Sequence, residues 1–99
     1  MGNPNFAIPT LEAVHRSEHD LIAVVSNPPK PMGRGRSFQS TPVGNFARLN
    51  GINLIEPISL RSDQLIDQLK ELKPDIFVIV AYKILPNALI KIPTYGAIN

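Results

Sequence analysis

Two runs of strand length contain only apolar residues, and they constrain the fold more than any other feature of the chain. Residues 21–25 are Leu-Ile-Ala-Val-Val, and residues 76–81 are Ile-Phe-Val-Ile-Val-Ala. Strands that lack polar alternation are typical of parallel sheets covered on both faces. Segments with helical spacing of apolar residues separate these runs. The alternation predicts an α/β fold: a doubly wound, mostly parallel sheet with helices on both faces.

The predicted helices and strands have recognisable ends. Thr41 followed by Pro42 is a hydroxyl cap with proline in the first turn, and Ser62 can cap a second helix. Gly51 and the pair Lys73-Pro74 are stop signals. The pattern predicts helices over 6–17, 42–50, 63–72 and 87–90, strands over 21–25, 52–55, 76–81 and 96–99, and a long loop over 27–40.

Ligands of such sheets bind at the carboxyl ends of the strands. This rule selects three segments as candidate binding elements: the turn at 2–6, the loop after Val25 and the loop after Ala81. The turn precedes the first predicted helix, yet no strand precedes the turn in the 99 residues.

Charge and composition narrow the classes of function. The chain has no cysteine, which excludes disulfides and thiolate metal sites, and no apolar run approaches the roughly 20 residues that span a bilayer. A soluble cytoplasmic protein without a membrane partner is therefore expected. Residues 21–55 contain no Asp or Glu but four basic residues. This excess indicates either an anionic partner or an ordinary solvated loop. The basic residues are Lys30, Arg34, Arg36 and Arg48.

Each of three motifs has both a functional and a structural interpretation. The Gly2-Asn3-Pro4 turn before a helix can present free amides to an anion or polar group, or can be a plain turn. Gly33-Arg34-Gly35-Arg36 can bind phosphates, or can be a solvated loop. Tyr82-Lys83-Ile84-Leu85 can hold a flat heterocycle, or can be anchored by its own apolar residues.

Taken in order, the motifs resemble the folate-dependent formyltransferase family of the methionyl-tRNA type. The family pattern Gly-Thr-Pro-x-Phe-Ala matches residues 2–7, with Asn3 in place of threonine. The family loop Gln-Pro-Asp-Arg-Pro-x-Gly-Arg-Gly matches the segment from Asn27, with Pro29 and Lys30 replacing its aspartate and arginine. Residues 74–82 match the strand before the folate loop, although Lys83 stands where the family often has glycine. Residues 96–99 match the start of the signature Gly-x-x-Asn-x-His-x-Ser-Leu-Leu-Pro.

The resemblance implies a Rossmann-like domain that transfers a formyl group from 10-formyltetrahydrofolate to the amino group of methionyl initiator tRNA, without a metal. It implies that Asn99 donates a hydrogen bond to the formyl oxygen and that Phe6 lies near the aminoacyl end of the tRNA. It also implies that Arg34 and Arg36 contact tRNA phosphates. The residues implied to bind the pterin are Tyr82, Lys83, Ile84 and Leu85. The alternatives are formyl transfer to a small amine, such as glycinamide ribonucleotide or an amino sugar, and a non-catalytic nucleic-acid-binding module.

The resemblance also implies that residues 1–99 are a partial catalytic domain. The family's first strand would precede Met1, and its catalytic histidine and aspartate would follow Asn99. His15 and His19 are expected at the surface and do not replace that histidine. We therefore expect the isolated chain to be inactive. The chain is also expected to pair with another copy, because a central sheet position would be empty.

Overall fold

The computed structural model describes residues 1–33, 35 and 37–99. Within these residues the helices follow the predicted order, and a 3-10 turn, Asn5–Ala7, precedes the first of them. The helices are α1 (Ile8–Arg16), α2 (Pro42–Leu49), α3 (Asp63–Leu72) and α4 (Asn87–Ile90). The strands are β1 (Val24–Val25), β2 (Lys30–Met32), β3 (Ser37–Gln39), β4 (Leu54–Ile55), β5 (Phe77–Val78) and β6 (Ala97–Ile98).

The helix ends are set by the predicted capping residues. Thr41 Oγ1 accepts a hydrogen bond from the backbone N–H of Gly44 at 3.0 Å. Ser62 Oγ accepts one from Leu65 N–H at 3.3 Å. Each such cap is typically worth about 1 kcal/mol. Helix α3 ends at Lys73, which has a left-handed φ of 51°. Local sequence therefore determines where these helices begin and end.

Parallel strands and the first two residues form one layer. β1 pairs with β4 through Val24 opposite Leu54, and β5 pairs with β6 through Phe77 opposite Ala97. Met1 and Gly2 join the two pairs. The Gly2 N–H donates to Val25 O at 3.1 Å, and Val80 N–H donates to Met1 O at 2.9 Å. The lateral order is therefore β4, β1, the Met1-Gly2 segment, β5 and β6.

The sheet carries a core on each face. Val24, together with Ala7, Val43 and Ala47, packs against α1 and α2. The next residue, Val25, faces α3 and α4, where it packs with Leu65, Leu69 and Leu89 among others. Successive strand residues thus bury their side chains on opposite faces, as expected of a covered parallel sheet. This arrangement confirms the predicted doubly wound α/β fold.

The observed strands are shorter than the apolar runs that predicted them. Only two residues of the run 21–25 and two of the run 76–81 form ladders. Both runs face each other across a cleft of about 720 Å³, which we call the strand cleft. The Met1-Gly2 segment fills its inner end only. Among the described residues no other backbone pairs with the rest of these two runs, so each ladder is two residues long.

The long loop predicted over 27–40 is partly wrong. It contains an antiparallel hairpin of β2 and β3, in which Pro31 lies opposite Phe38. Gly33 follows β2 with φ of 77°, a conformation that glycine adopts without steric cost. β-branched and aromatic residues do not dominate this hairpin, so its sequence gave no strand signal.

None of the helices in the described part of the chain has the length and apolar character needed to cross a bilayer.

Replacing Gly2 with alanine is expected to destabilise the chain by about 1–3 kcal/mol. A Cβ at this position would lie 2.7 Å from Val80 O and 3.1 Å from the Ala7 Cβ. The backbone oxygen cannot move away without breaking the sheet. Urea unfolding monitored by circular dichroism measures the change.

The control is Gly35→Ala, because a Cβ there meets nothing within 4 Å. This control should change the unfolding free energy by less than about 0.5 kcal/mol. Equal effects of the two substitutions would show that Gly2 is not tightly enclosed.

Candidate functional site

The carboxyl ends of the central strands meet at one edge of the sheet. Ser26 follows β1, Asn3 follows the Met1-Gly2 segment, Tyr82 follows β5 after a short extension, and Asn99 follows β6. Because these strands are parallel and adjacent, the residues that follow them lie side by side. The structure therefore brings together three of the segments that the sequence selected, along with Asn99.

A buried polar network centres on Asn3. Its Oδ1 accepts hydrogen bonds from Ser26 Oγ at 3.0 Å and from Asn27 N–H at 2.9 Å. Ser26 is fully buried, and its hydroxyl also contacts the Thr41 hydroxyl that caps α2. The Asn3 carbonyl accepts from Val43 N–H at 3.1 Å. Through its side chain and its backbone carbonyl, Asn3 thus ties the Gly2 turn to the end of β1 and to the start of α2.

Replacing Asn3 with alanine is expected to cost about 1–3 kcal/mol of unfolding free energy. The substitution leaves the Ser26 hydroxyl and the Asn27 N–H without their shared acceptor. Asn3→Asp keeps an acceptor oxygen in the same place, so this variant should lose less unfolding free energy than Asn3→Ala. Chemical denaturation of both variants measures the difference, and equal losses would contradict this role of the acceptor.

The segment at 82–85 turns out of the sheet. Ala81 has a φ of 50°, which a residue with a Cβ rarely adopts and which redirects the chain at the end of β5. Leu85 is buried and anchors the segment, whereas the Ile84 side chain is 96% exposed. Lys83 is also exposed. An isoleucine held outward by a fixed turn is an apolar surface available to a ligand.

Tyr82, the first residue of this segment, is half-buried and packs against the core. Its hydroxyl is buried and finds no hydrogen-bond partner among the described residues. Burial raises the pKa of Tyr82 to about 12, so the phenol remains a neutral donor. Buried polar atoms are rarely left unpaired. The hydroxyl is therefore an unused hydrogen-bond donor.

The remaining predicted residues of the edge are accessible. Ile79 N–H donates to Ile98 O at 2.8 Å, which places Asn99 beside the end of β5. Asn99 is exposed. Phe6 is 75% exposed and belongs to the turn Asn5–Ala7. The structure thus leaves both side chains free to meet a substrate.

The four basic residues of segment 21–55, which contains no Asp or Glu, do not share one environment. Arg34 and Arg36 lie outside the described residues. Lys30 and all of β3 are exposed. Arg48, in contrast, pairs with Glu56 and donates to Ser40 Oγ. Arg48 therefore has a structural partner within the chain, which the sequence did not indicate.

Both histidines are exposed and belong to the α1 region, as expected. The His15 ring packs edge-on against Phe46, with 6.3 Å between ring centroids. Among the residues described, no three His, Cys, Asp or Glu side chains are grouped as metal ligands would be.

Sequence reasoning missed Ser26 and the role of Asn3 in the polar network. A serine directly after an apolar strand and an Asn-Pro pair after glycine are the available signals. Both are common in ordinary turns, so neither indicates a network between segments 23 residues apart.

Comparison with known proteins agrees with this arrangement. The sequence model described as "Formyl transferase" matches residues 1–99. The methionyl-tRNA formyltransferase of Alkaliphilus metalliredigens is 43% identical over 100 residues and covers all of this chain. The proteins of that name from Acetivibrio thermocellus and Legionella pneumophila (strain Paris) are 42% and 41% identical, over 100% and 99% of the chain. The chain spans 32% of the length of each relative. Since the family match extends over its whole length, the chain belongs to the formyl transferase family.

Proposed function

We propose that this chain forms the folate-facing part of an enzyme that transfers a formyl group from 10-formyltetrahydrofolate to the amino group of methionyl initiator tRNA. The observation that carries the proposal is the alignment, along one sheet edge, of the out-turned segment 82–85 and Asn99. The relatives are named for this activity. The cytoplasm, where initiator tRNA is charged, is the proposed location.

The residues present at the edge fit a folate. Ile84 offers an exposed apolar side chain, and the unpaired Tyr82 hydroxyl offers a donor. Main-chain groups of Lys83 and Leu85, which follow the turn at Ala81, would recognise the edge of a pterin. In this proposal the pterin lies against residues 82–85, and the donor's formyl group reaches towards Asn99.

Asn99 would act on the reacting carbonyl. Attack of a neutral amine on a formyl group places negative charge on the formyl oxygen in a tetrahedral intermediate. An amide N–H of Asn99 would donate to that oxygen, as oxyanion-hole side chains do. Phe6, exposed beside the turn at Asn3, would contact the aminoacyl end of the acceptor. The polar network at Asn3 would hold this turn against the end of β1.

Proton transfer from the amine requires a base that the edge does not present among its described residues, since His15 and His19 belong to the α1 region. We therefore propose that residues 1–99 form one part of a larger catalytic domain, and that by themselves they bind folate without turnover.

The exposed hairpin of β2 and β3 favours tRNA over a small acceptor. Lys30 and β3 are solvent-exposed, and Arg34 and Arg36 lie between the two strands in the sequence. A small amine such as glycinamide ribonucleotide or an amino sugar needs no basic arm of this length. Phosphate contacts of arginine also weaken with salt, which provides a test.

The acceptor is tested in a chimera in which residues 1–99 replace the matching segment of the Alkaliphilus metalliredigens relative. Formyl transfer to charged initiator tRNA is measured for this chimera and for its Arg34→Ala, Arg36→Ala variant. We expect the variant to be less active than the unmodified chimera, and the ratio of the two activities to depend on the salt concentration. Arg16→Ala is the control, because that exposed arginine pairs with Glu12 on α1. Transfer to a small amine but not to tRNA would overturn the assignment of the acceptor.

Folate binding is tested on the 99-residue chain with a stable formyl folate. Ile84→Ser should weaken binding about tenfold, because the ligand loses an apolar contact. Ile58→Ser is the matched control, since Ile58 is 94% exposed and lies outside the proposed site. Similar effects of both variants, or no folate binding by the unmodified chain, would contradict the site and leave the nucleic-acid-binding alternative.

A further inference from the structure

The hairpin of β2 and β3 is held at its base, where the chain leaves the sheet edge and where it returns to α2. Asn27 precedes β2, and its N–H donates to Asn3 Oδ1 at 2.9 Å. Ser40 and Thr41 follow β3, and the Thr41 hydroxyl contacts that of Ser26. Because the strands of the hairpin are exposed, their direction depends on these contacts at the base.

Arg48, on α2, joins the end of the hairpin to the end of β4. Its guanidinium donates through Nη1 to Ser40 Oγ and through Nη2 to Glu56 Oε1. Ser40 directly follows β3, and Glu56 directly follows β4. A guanidinium is a planar fork of donors, so one arginine can hold two acceptors in fixed directions at the same time. We call the contacts of Arg48 with Ser40 and Glu56 the Arg48 brace.

The first turn of α2 provides the surface on which the brace lies. Gly44 is one helical turn before Arg48, and helical side chains point back towards the amino end of their helix. A Cβ added at Gly44 would lie 3.6 Å from the Ser40 Cβ and 3.8 Å from Arg48 Nη1. The guanidinium and Ser40 are therefore packed against the same turn of α2, which limits the directions that the Arg48 side chain can take.

Glu56 engages the charge of Arg48. The Glu56 side chain is 18% exposed, against 45% for Arg48. The second carboxylate oxygen, Glu56 Oε2, is buried and has no hydrogen-bond partner among the described residues. Removing the guanidinium would leave this largely buried charge uncompensated, which is unfavourable. The charge of Arg48 is thus neutralised within the chain, unlike that of a basic residue held ready for a phosphate.

We propose that Arg48 is a positioning residue for the acceptor: it sets the direction of the basic hairpin and does not itself contact tRNA phosphate. This inference rests on the proposed transfer to methionyl initiator tRNA. The brace lies at the β4 side of the sheet, whereas segment 82–85 and Asn99 follow β5 and β6 on the other side of the Met1-Gly2 segment. Loss of the brace should therefore weaken acceptor binding and leave folate binding intact.

The chimera carrying Ser40→Ala tests the brace, because this change removes the contact with the hairpin and keeps the pair of Arg48 and Glu56. We expect KM for charged initiator tRNA to rise roughly tenfold, the loss expected when one hydrogen bond to a charged group no longer holds the hairpin. KM for the formyl folate should not change. Hydrogen exchange of the hairpin amides, followed by mass spectrometry, should become faster.

A second variant, Arg48→Ala with Glu56→Gln, removes the brace without leaving an unpaired carboxylate, and we expect the same rise in KM for tRNA. Arg16→Ala is the matched control, because it also removes an ion-paired arginine, but one whose partner Glu12 lies on the same helix. This control should change neither KM nor the exchange of the hairpin amides.

The salt dependence of tRNA use distinguishes positioning from phosphate contact. Each phosphate contact that is lost reduces the slope of log(kcat/KM) against log salt concentration by roughly 1. The chimera with Arg34→Ala and Arg36→Ala should therefore show a shallower slope. The chimera with Arg48→Ala and Glu56→Gln should keep the original slope, with a lower kcat/KM at every salt concentration.

Three results for the variants would overturn the inference. A slope that is shallower by roughly 1 after the loss of Arg48 and Glu56 would show that Arg48 binds phosphate itself. An unchanged KM for tRNA in Ser40→Ala would show that the hairpin does not need the brace. An equal loss of folate binding would show that these residues support the whole domain rather than the hairpin. A different result, no transfer to tRNA by the unmodified chimera, would overturn the proposed acceptor, and the inference with it.

Discussion

Replacing Asn99 with alanine is expected to lower kcat for formyl transfer about 10²- to 10³-fold in the chimera, equivalent to roughly 3–4 kcal/mol of transition-state stabilisation. The side chain follows β6 at the edge shared with segment 82–85, and it is exposed at the surface. Its amide would donate to the formyl oxygen only as negative charge develops there. KM for the folate should therefore change little, because the lost interaction belongs to the transition state.

The control for this prediction is Asn87→Ala, which removes an exposed asparagine at the start of α4. This variant should retain nearly full activity. Steady-state rates with varied folate concentration separate kcat from KM for both variants. If Asn99→Ala instead weakens folate binding and leaves kcat unchanged, Asn99 contributes to binding of the ground state rather than to the transition state.

Local signals in the sequence predicted the parts of the fold that depend on local energetics. Thr41 and Ser62 cap their helices through bonds to residues three positions away, so a short stretch of sequence determines each helix start. Helix α4 has no side-chain cap, but its bounds Asn87–Ile90 also agree with the expectation. Apolar runs predicted where the strands would lie, because burial on both faces requires that composition.

Ladder lengths and long-range contacts were not predictable in this way. A strand residue forms ladder bonds only where a neighbouring backbone is present, and the composition of the run 21–25 does not reveal that its first residues face a cleft. The hairpin of β2 and β3 is stabilised by pairing of its two strands rather than by propensity, since Pro31 lies within it.

At the candidate site, the motifs indicated which segments meet, but the structure was needed to show the state of each side chain. Ile84 and Leu85 are adjacent apolar residues, yet one is 96% exposed and the other 5%. The left-handed turn at Ala81 precedes this segment, and a left-handed alanine has no sequence signature. Likewise, Arg48 resembled the other basic residues until its pairing with Glu56 was seen.

In the isolated 99-residue polypeptide, the amino group of Met1 should make the stability depend on pH between 8 and 6. Burial lowers the pKa of this amino group from 8.0 to about 6, because the charged form loses its hydration at the end of the strand cleft. In this window the unfolded chain binds the proton and the folded chain does not, so the free energy of unfolding falls as the pH falls. The contribution is fully present above pH 8 and is lost as the pH drops through 6, a decrease of about 2–3 kcal/mol.

Urea unfolding at about pH 8.5, 7 and 5.5 measures this decrease, and chemical acetylation of the Met1 amino group provides the matched control. The acetylated nitrogen stays neutral at every pH and keeps one N–H for the bond to Val78 O. All side chains are the same in both forms. The difference between the two forms therefore isolates the amino group. The difference in the free energy of unfolding should be largest at pH 5.5, where the acetylated chain is the more stable. If this free energy instead changes with pH equally in both forms, the Met1 amino group is well hydrated in the folded protein.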